Sequence, residues 1–119
     1  MVNFKHLQRS VRYAFHGLRL AARENTFRVL LLAAAIVFAL VFLFPLPLWQ
    51  AIAVVLVIMV VLVLEILNTM FERLADLVEP KMHHYVRELK DLMAAAVFVA
   101  SFCAFIIGVV IFFPYFQRL

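Results

Sequence analysis

From Val29 to Leu64 the chain carries no Asp, Glu, Lys or Arg. A helix needs about 20 apolar residues to cross a bilayer, so this run is too long for one span. Pro45-Leu46-Pro47 divides it, because proline lacks a backbone donor and disfavours helix in the residue before it. The pattern predicts one span over about 27–44 and a second helix over about 48–77, with Trp49 as an interface anchor. A third apolar stretch predicts a span over about 89–113, with Pro114 and Tyr115 at its exit. Ala96, Ala100, Ala104 and Gly108 recur there every four residues, a small-residue stripe that lets membrane helices approach closely. Ahead of the spans, Phe4, Leu7, Val11, Phe15 and Leu18 recur at spacings of three or four. Lys5, Arg9, Arg12 and Arg19 fall mostly elsewhere on the wheel, which predicts an amphipathic surface helix over about 4–23. The expected fold is an all-α membrane protein: one domain over 1–119, with three transmembrane helices and an N-terminal surface helix.

Composition agrees with that pattern. The chain is 68% hydrophobic, against about 45–50% for an ordinary soluble domain. Gly17 and Gly108 are its two glycines, which excludes a glycine-rich phosphate loop. Any nucleotide must be held by side chains and a metal. Cys103 is the single cysteine and cannot form an intrachain disulfide; an apolar thiol in a span is its simplest reading. The first 28 residues do not read as a cleavable signal peptide, being basic and amphipathic without an apolar core and cleavage site.

Charge sets the expected orientation. Lys5, Arg9, Arg12, Arg19, Arg23 and Arg28 oppose Glu24 alone in the N-terminal segment, a surface suited to anionic lipid headgroups. Arg73, Lys81, Arg87 and Lys90 lie between the second and third spans, and Arg118 alone lies near the C-terminus. The positive-inside rule puts the N-terminus and the 72–91 segment in the cytoplasm. All seven acidic residues then fall on or near that side.

The chemistry concentrates in Glu65-Ile-Leu-Asn68-Thr-Met-Phe-Glu72-Arg-Leu-Ala-Asp76. Glu65, Asn68, Glu72 and Asp76 are spaced 3, 4 and 4 residues apart, which puts them on one helix stripe. A charged carboxylate in mid-membrane costs roughly 2.5–3.5 kcal/mol on insertion scales. Such a stripe needs a purpose. From Leu48 to Glu65 the helix rises about 25 Å, which leaves Glu65 near the far edge of the hydrocarbon layer. Carboxylates there can hold Mg²⁺ together with substrate phosphates. Lys90, beside Asp91, can neutralise phosphate charge, and Glu65 is placed to act as general base toward a lipid hydroxyl. These parts suit phosphoryl transfer from a nucleotide to a membrane alcohol. His83 and His84 are adjacent, so they cannot share one helix face as a zinc pair would. A small proton-coupled transporter using Glu65 is the competing reading, and a silent membrane scaffold is a third that leaves the polar stripe without a cause.

The motif E-I-L-N-T-x-x-E-x-x-x-D, followed by K-D-L-M-A-A-A-V, resembles the prokaryotic integral-membrane diacylglycerol kinase and undecaprenol kinase family. S-V-R-Y-A-F-H-G-L and E-N-T-F-R upstream are similar to that family as well. The resemblance implies Glu65 as the catalytic base and Glu24 and Glu72 as carboxylates that bind Mg²⁺ with ATP. It implies Asn68, Asp76, His83, Lys90 and Asp91 along the nucleotide and transfer site, and Tyr13 near the nucleotide. A homotrimer in the prokaryotic inner membrane, with sites shared between subunits at the cytoplasmic surface, is also implied. Diacylglycerol kinases carry a second glutamate six residues after the first; Leu30 stands there in this chain, nearer the undecaprenol kinase pattern. The interval from Gly17 to Glu24 is one residue shorter than the family's.

Three spans make a topological prediction. A reporter fused after Leu119 maps to the outside, and one inserted at Met82 maps to the cytoplasm. Finding both on one side would rule out an odd number of crossings between them.

Overall fold

The computed structural model describes residues 3–78, 80 and 83–119, without the His83 side chain. Four helices make up the described chain: α1 (Phe4–Ala21), α2 (Asn25–Leu43), α3 (Leu48–Val78) and α4 (His83–Gln117). Three of them, α2, α3 and α4, are long and apolar enough to cross a membrane.

Local chemistry explains the boundaries. Asn3 caps α1, its side-chain oxygen accepting from the Lys5 backbone N–H at 3.1 Å. Arg19 lies in the last turn, where a cation complements the helix dipole. Helix α1 stops two residues before the expected 23, and a short turn leads to Glu24 at the N-cap of α2. The Glu24 side chain makes no capping bond, although its carbonyl accepts from Arg28 N–H at 3.1 Å. That leaves the carboxylate available for other partners. At the other end of α2, Phe44 is extended with ψ 146°, the conformation forced on a residue before proline. Pro45 and Pro47 then bracket the turn into α3.

At about 1.5 Å per residue, α3 is about 46 Å long and α4 about 52 Å. Both exceed a hydrocarbon layer of about 30 Å, so their polar ends can project beyond it. Helix α4 extends past both ends of the expected 89–113 span, beginning at His83 and continuing through Pro114. A proline three residues before the helix end removes only one late hydrogen bond, which the last turn tolerates.

Helix α3 is central and packs against both α2 and α4. The tightest packing lies near the proline turn, where Val54, Ile111 and Phe112 are buried against Val37, Leu40, Val41 and Phe44. The Phe44 ring faces Phe112, Tyr115 and Phe116 at centroid distances of 6.1, 5.7 and 5.2 Å. Tyr115 also donates to the Pro45 carbonyl at 3.5 Å. This aromatic cluster ties the end of α4 to the turn. It fixes the up-down-up order that brings the start of α2, the end of α3 and the start of α4 to the opposite pole. Between the helices a crevice of about 540 Å³ remains, lined by apolar residues from α2, α3 and α4.

Phe112→Ala removes the buried ring that α4 packs against Phe44. The expected loss is about 3 kcal/mol, the low end for buried phenylalanine, because lipid rather than water is the alternative contact. Unfolding in detergent measures it, and an unchanged midpoint would remove the cluster as the clamp between α4 and the turn.

Candidate active site

The polar pole is built on the C-terminal half of α3. Glu65 is the buried charged residue there, at 4% exposure. Its burial follows from its register: Val54, Val61, Glu65 and Ala75 are the buried positions of α3, and Val61 precedes Glu65 by one turn on the same face. Thr69 donates its hydroxyl to the Glu65 carbonyl at 3.0 Å, a local bond back along the helix that holds the threonine rotamer. The negative charges that act on Glu65 are those of Glu72 and Glu24, so three carboxylates share this region.

The remaining stripe residues are organised by hydrogen bonds. Asn68 donates through Nδ2 to Glu72 Oε1 at 3.3 Å, which is the i, i+4 contact expected from the spacing. Its Oδ1 is buried without a partner among the described residues. A buried amide oxygen without a donor invites an N–H or O–H from a ligand or water. Glu72 itself is exposed. Asp76, one turn further on, accepts from Lys90 Nζ at 2.8 Å, which joins α3 to the first turns of α4.

The third element enters through Glu24. Arg73 Nη2 donates to Glu24 Oε1 at 3.3 Å across a separation of 49 residues. This ion pair links the start of α2 to α3. Both side chains are about half exposed, so the pair has modest energetic value and its importance is positional.

The structure therefore brings Glu24, Glu65, Asn68, Glu72, Asp76 and Lys90 to one pole. Asp91 lies beside Lys90, exposed and without a hydrogen bond or ion pair among the described residues. Tyr13 is on α1 and 67% exposed, with no hydrogen bond to the stripe. The His83 side chain lies outside the described residues. Two residues of this pole escape a reading based on spacing. Thr69 is off the 3-4-4 stripe, and Arg73 reaches Glu24 only through the tertiary fold. The one signal for Arg73 is its place beside Glu72, where a long cation borders a line of acids.

The donor set suits a hard cation. Glu24 and Glu72 offer charged oxygens, and each carboxylate has one recorded hydrogen bond, leaving lone pairs free. Among the described residues no three Asp, Glu, His or Cys side chains gather as a protein-only metal cage. Mg²⁺ does not need one, since it commonly takes one or two carboxylates plus water and substrate phosphates. Cys103, the single cysteine, lies well along α4 and away from this pole.

Three helices long and apolar enough to cross a membrane thus carry one buried carboxylate, with acids and cations gathered at one pole. The family model for prokaryotic diacylglycerol kinase matches residues 12–112. The chain is 35% identical over 94 residues to an undecaprenol kinase from Bacillus subtilis (strain 168), an alignment covering 79% of this chain and 76% of that one. The chain belongs to the prokaryotic diacylglycerol kinase family and is a lipid kinase, with ATP as the implied co-substrate.

Proposed function

We propose that this chain transfers the γ-phosphate of ATP to the hydroxyl of a membrane lipid at the cytoplasmic face of the prokaryotic inner membrane, with Mg²⁺ held at Glu24 and Glu72. The observation that carries this reading is the buried Glu65 carboxylate one turn beyond an apolar crevice. Val61 and Leu62, on α3, line that crevice together with Leu30, Ala33 and Ala34 of α2. A hydrocarbon chain lying there would bring a hydroxyl at its end toward Glu65. The lipid is undecaprenol or diacylglycerol; Leu30, at the position of the diacylglycerol kinases' second glutamate, favours undecaprenol.

Glu65 accepts the hydroxyl proton as the lipid oxygen bonds to the γ-phosphorus; the bond to the β–γ bridging oxygen breaks and ADP leaves. Glu24 and Glu72 are the residues that would hold Mg²⁺. Bound Mg²⁺ would supply charge neutralisation of the phosphate oxygens. Asn68, with its unpartnered oxygen, holds a donor from substrate or water. Lys90 leans on Asp76 and supplies positive charge, with Asp91 beside it. Tyr13 and His83 belong to the nucleotide side by resemblance to the family.

The basic helix α1 lies on the membrane surface in this reading, its arginines toward anionic headgroups and Phe4, Leu7 and Phe15 toward the acyl chains. The N-terminus is cytoplasmic. The chain acts as a single lipid kinase domain assembled as a homotrimer; the broad apolar faces exposed on α4, including Phe98, Phe102 and Phe105, support contacts with lipid or other subunits. A proton-coupled transporter would need no ion pairs between Asp76 and Lys90 or between Glu24 and Arg73, and no structural observation favours it.

Glu65→Gln keeps the side-chain size but cannot take the proton. Turnover is expected to fall by about 10²–10⁴-fold with ATP affinity near wild type. Lipid phosphate formed from radiolabelled ATP, with undecaprenol, diacylglycerol and ceramide offered separately in mixed micelles, gives the rate and the acceptor. Near-wild-type turnover would remove Glu65 as the base.

Glu24→Gln and Glu72→Gln each take a charged oxygen from the cation. Each is expected to abolish Mg²⁺-dependent activity while helix content measured by circular dichroism is retained. An unchanged Mg²⁺ dependence in either variant would show that its carboxylate is not a ligand.

A further inference from the structure

Arg73 is a cation at the polar pole to which the reading above gives no task. Its guanidinium has five N–H donors in a rigid fork. One of them, on Nη2, is engaged by Glu24 at 3.3 Å, and no other bond or ring contact of this side chain is recorded. The side chain is 54% exposed, so it is open to a further partner. Glu24 stands at the N-cap of α2 without a capping bond, and Arg73 is the partner that orients it.

The charges at this pole set a competition. Glu24, Glu65, Glu72 and Asp76 crowd one end of three helices, with Arg73 and Lys90 among them. In the ligand-free protein Arg73 neutralises part of that negative field. A divalent cation on Glu24 takes the place of the guanidinium, since a carboxylate that shares its charge with a dication holds a monovalent partner less strongly. The displaced guanidinium is planar, permanently charged and matched to phosphate oxygens. Phosphates brought by the same cation are the nearest anion able to replace Glu24.

We propose that Arg73 is a phosphate-binding residue of this site, held on Glu24 in the ligand-free protein and exchanged onto the nucleotide phosphates when a divalent cation occupies that carboxylate. The inference rests on the assignment of Glu24 to the metal. It goes further by giving the ion pair between α2 and α3 a function in nucleotide capture.

The exchange predicts effects of opposite sign on two ligands. Arg73→Gln removes the competitor for Glu24, so Mn²⁺ alone, followed by electron paramagnetic resonance as a stand-in for Mg²⁺, binds about two- to fivefold more tightly. The same substitution removes a charge-assisted contact to phosphate, so a non-hydrolysable ATP analogue binds about tenfold more weakly in the presence of Mg²⁺. Arg73→Lys keeps the charge but not the fork and falls between on both readouts. The full chain in detergent micelles serves for every measurement. A merely structural role would weaken both ligands together, and that result, or unchanged analogue binding, would overturn the proposal. Wild-type protein that binds neither ligand would overturn the kinase reading instead, and the proposal with it.

Discussion

A carboxylate buried in a largely apolar helix has few ways to be tolerated, and Glu65 is buried on the face of α3 that carries Val54 and Val61. Ionised and unpartnered in such a place, it would cost several kcal/mol. The polar residues around it make sense against that constraint. Glu72 and Glu24 add negative charge, so the site favours whatever brings positive charge or a proton to it. Asn68 ties Glu72 to the stripe, while Arg73 and Lys90 reach in from its borders. The pole thus gathers acids and cations from three helices within reach of one another.

The two ends of the bundle divide the labour. At the proline turn, Phe44, Phe112, Tyr115 and Phe116 pack without any charged partner inside the cluster, and Arg118 lies outside over the Tyr115 ring at 5.8 Å. That end supplies rigidity. At the polar pole, the ion pairs between helices among the described residues, Glu24–Arg73 and Asp76–Lys90, join exposed or half-exposed side chains. Such pairs contribute about 0–1 kcal/mol each and exchange readily for other partners. The apolar crevice runs between the two ends, and its upper lining at Val61 and Leu62 stops one turn short of Glu65.

Membership in the prokaryotic diacylglycerol kinase family and the helix arrangement support each other. The family assigns lipid kinase chemistry, and the fold explains how 119 residues with two glycines can perform it. Long helices that exceed the hydrocarbon layer carry the polar side chains of the pole on a rigid frame.

How much of this was legible beforehand follows from the range of each interaction. Helix existence and the break at Pro45-Leu46-Pro47 depend on neighbouring residues; α2 and α3 lie within two residues of their expected bounds, whereas α4 is six residues longer at its start and four at its end than the expected span. The stripe of Glu65, Asn68, Glu72 and Asp76 is also local: 3.6 residues per turn puts these positions on one face, and the Asn68–Glu72 bond is its direct consequence. Charge placement along the chain likewise required no coordinates. Only the tertiary structure decided that Glu65 is the buried member of the stripe, because burial depends on which face of α3 meets α2 and α4. It alone paired Arg73 with Glu24, 49 residues away, and Lys90 with Asp76. Long flexible cations can reach many acids, and sequence spacing carries no distance between separate helices. The start of α4 at His83 was equally a tertiary matter, since the few residues after Pro80 are too polar and too short a segment for periodicity to separate loop from helix.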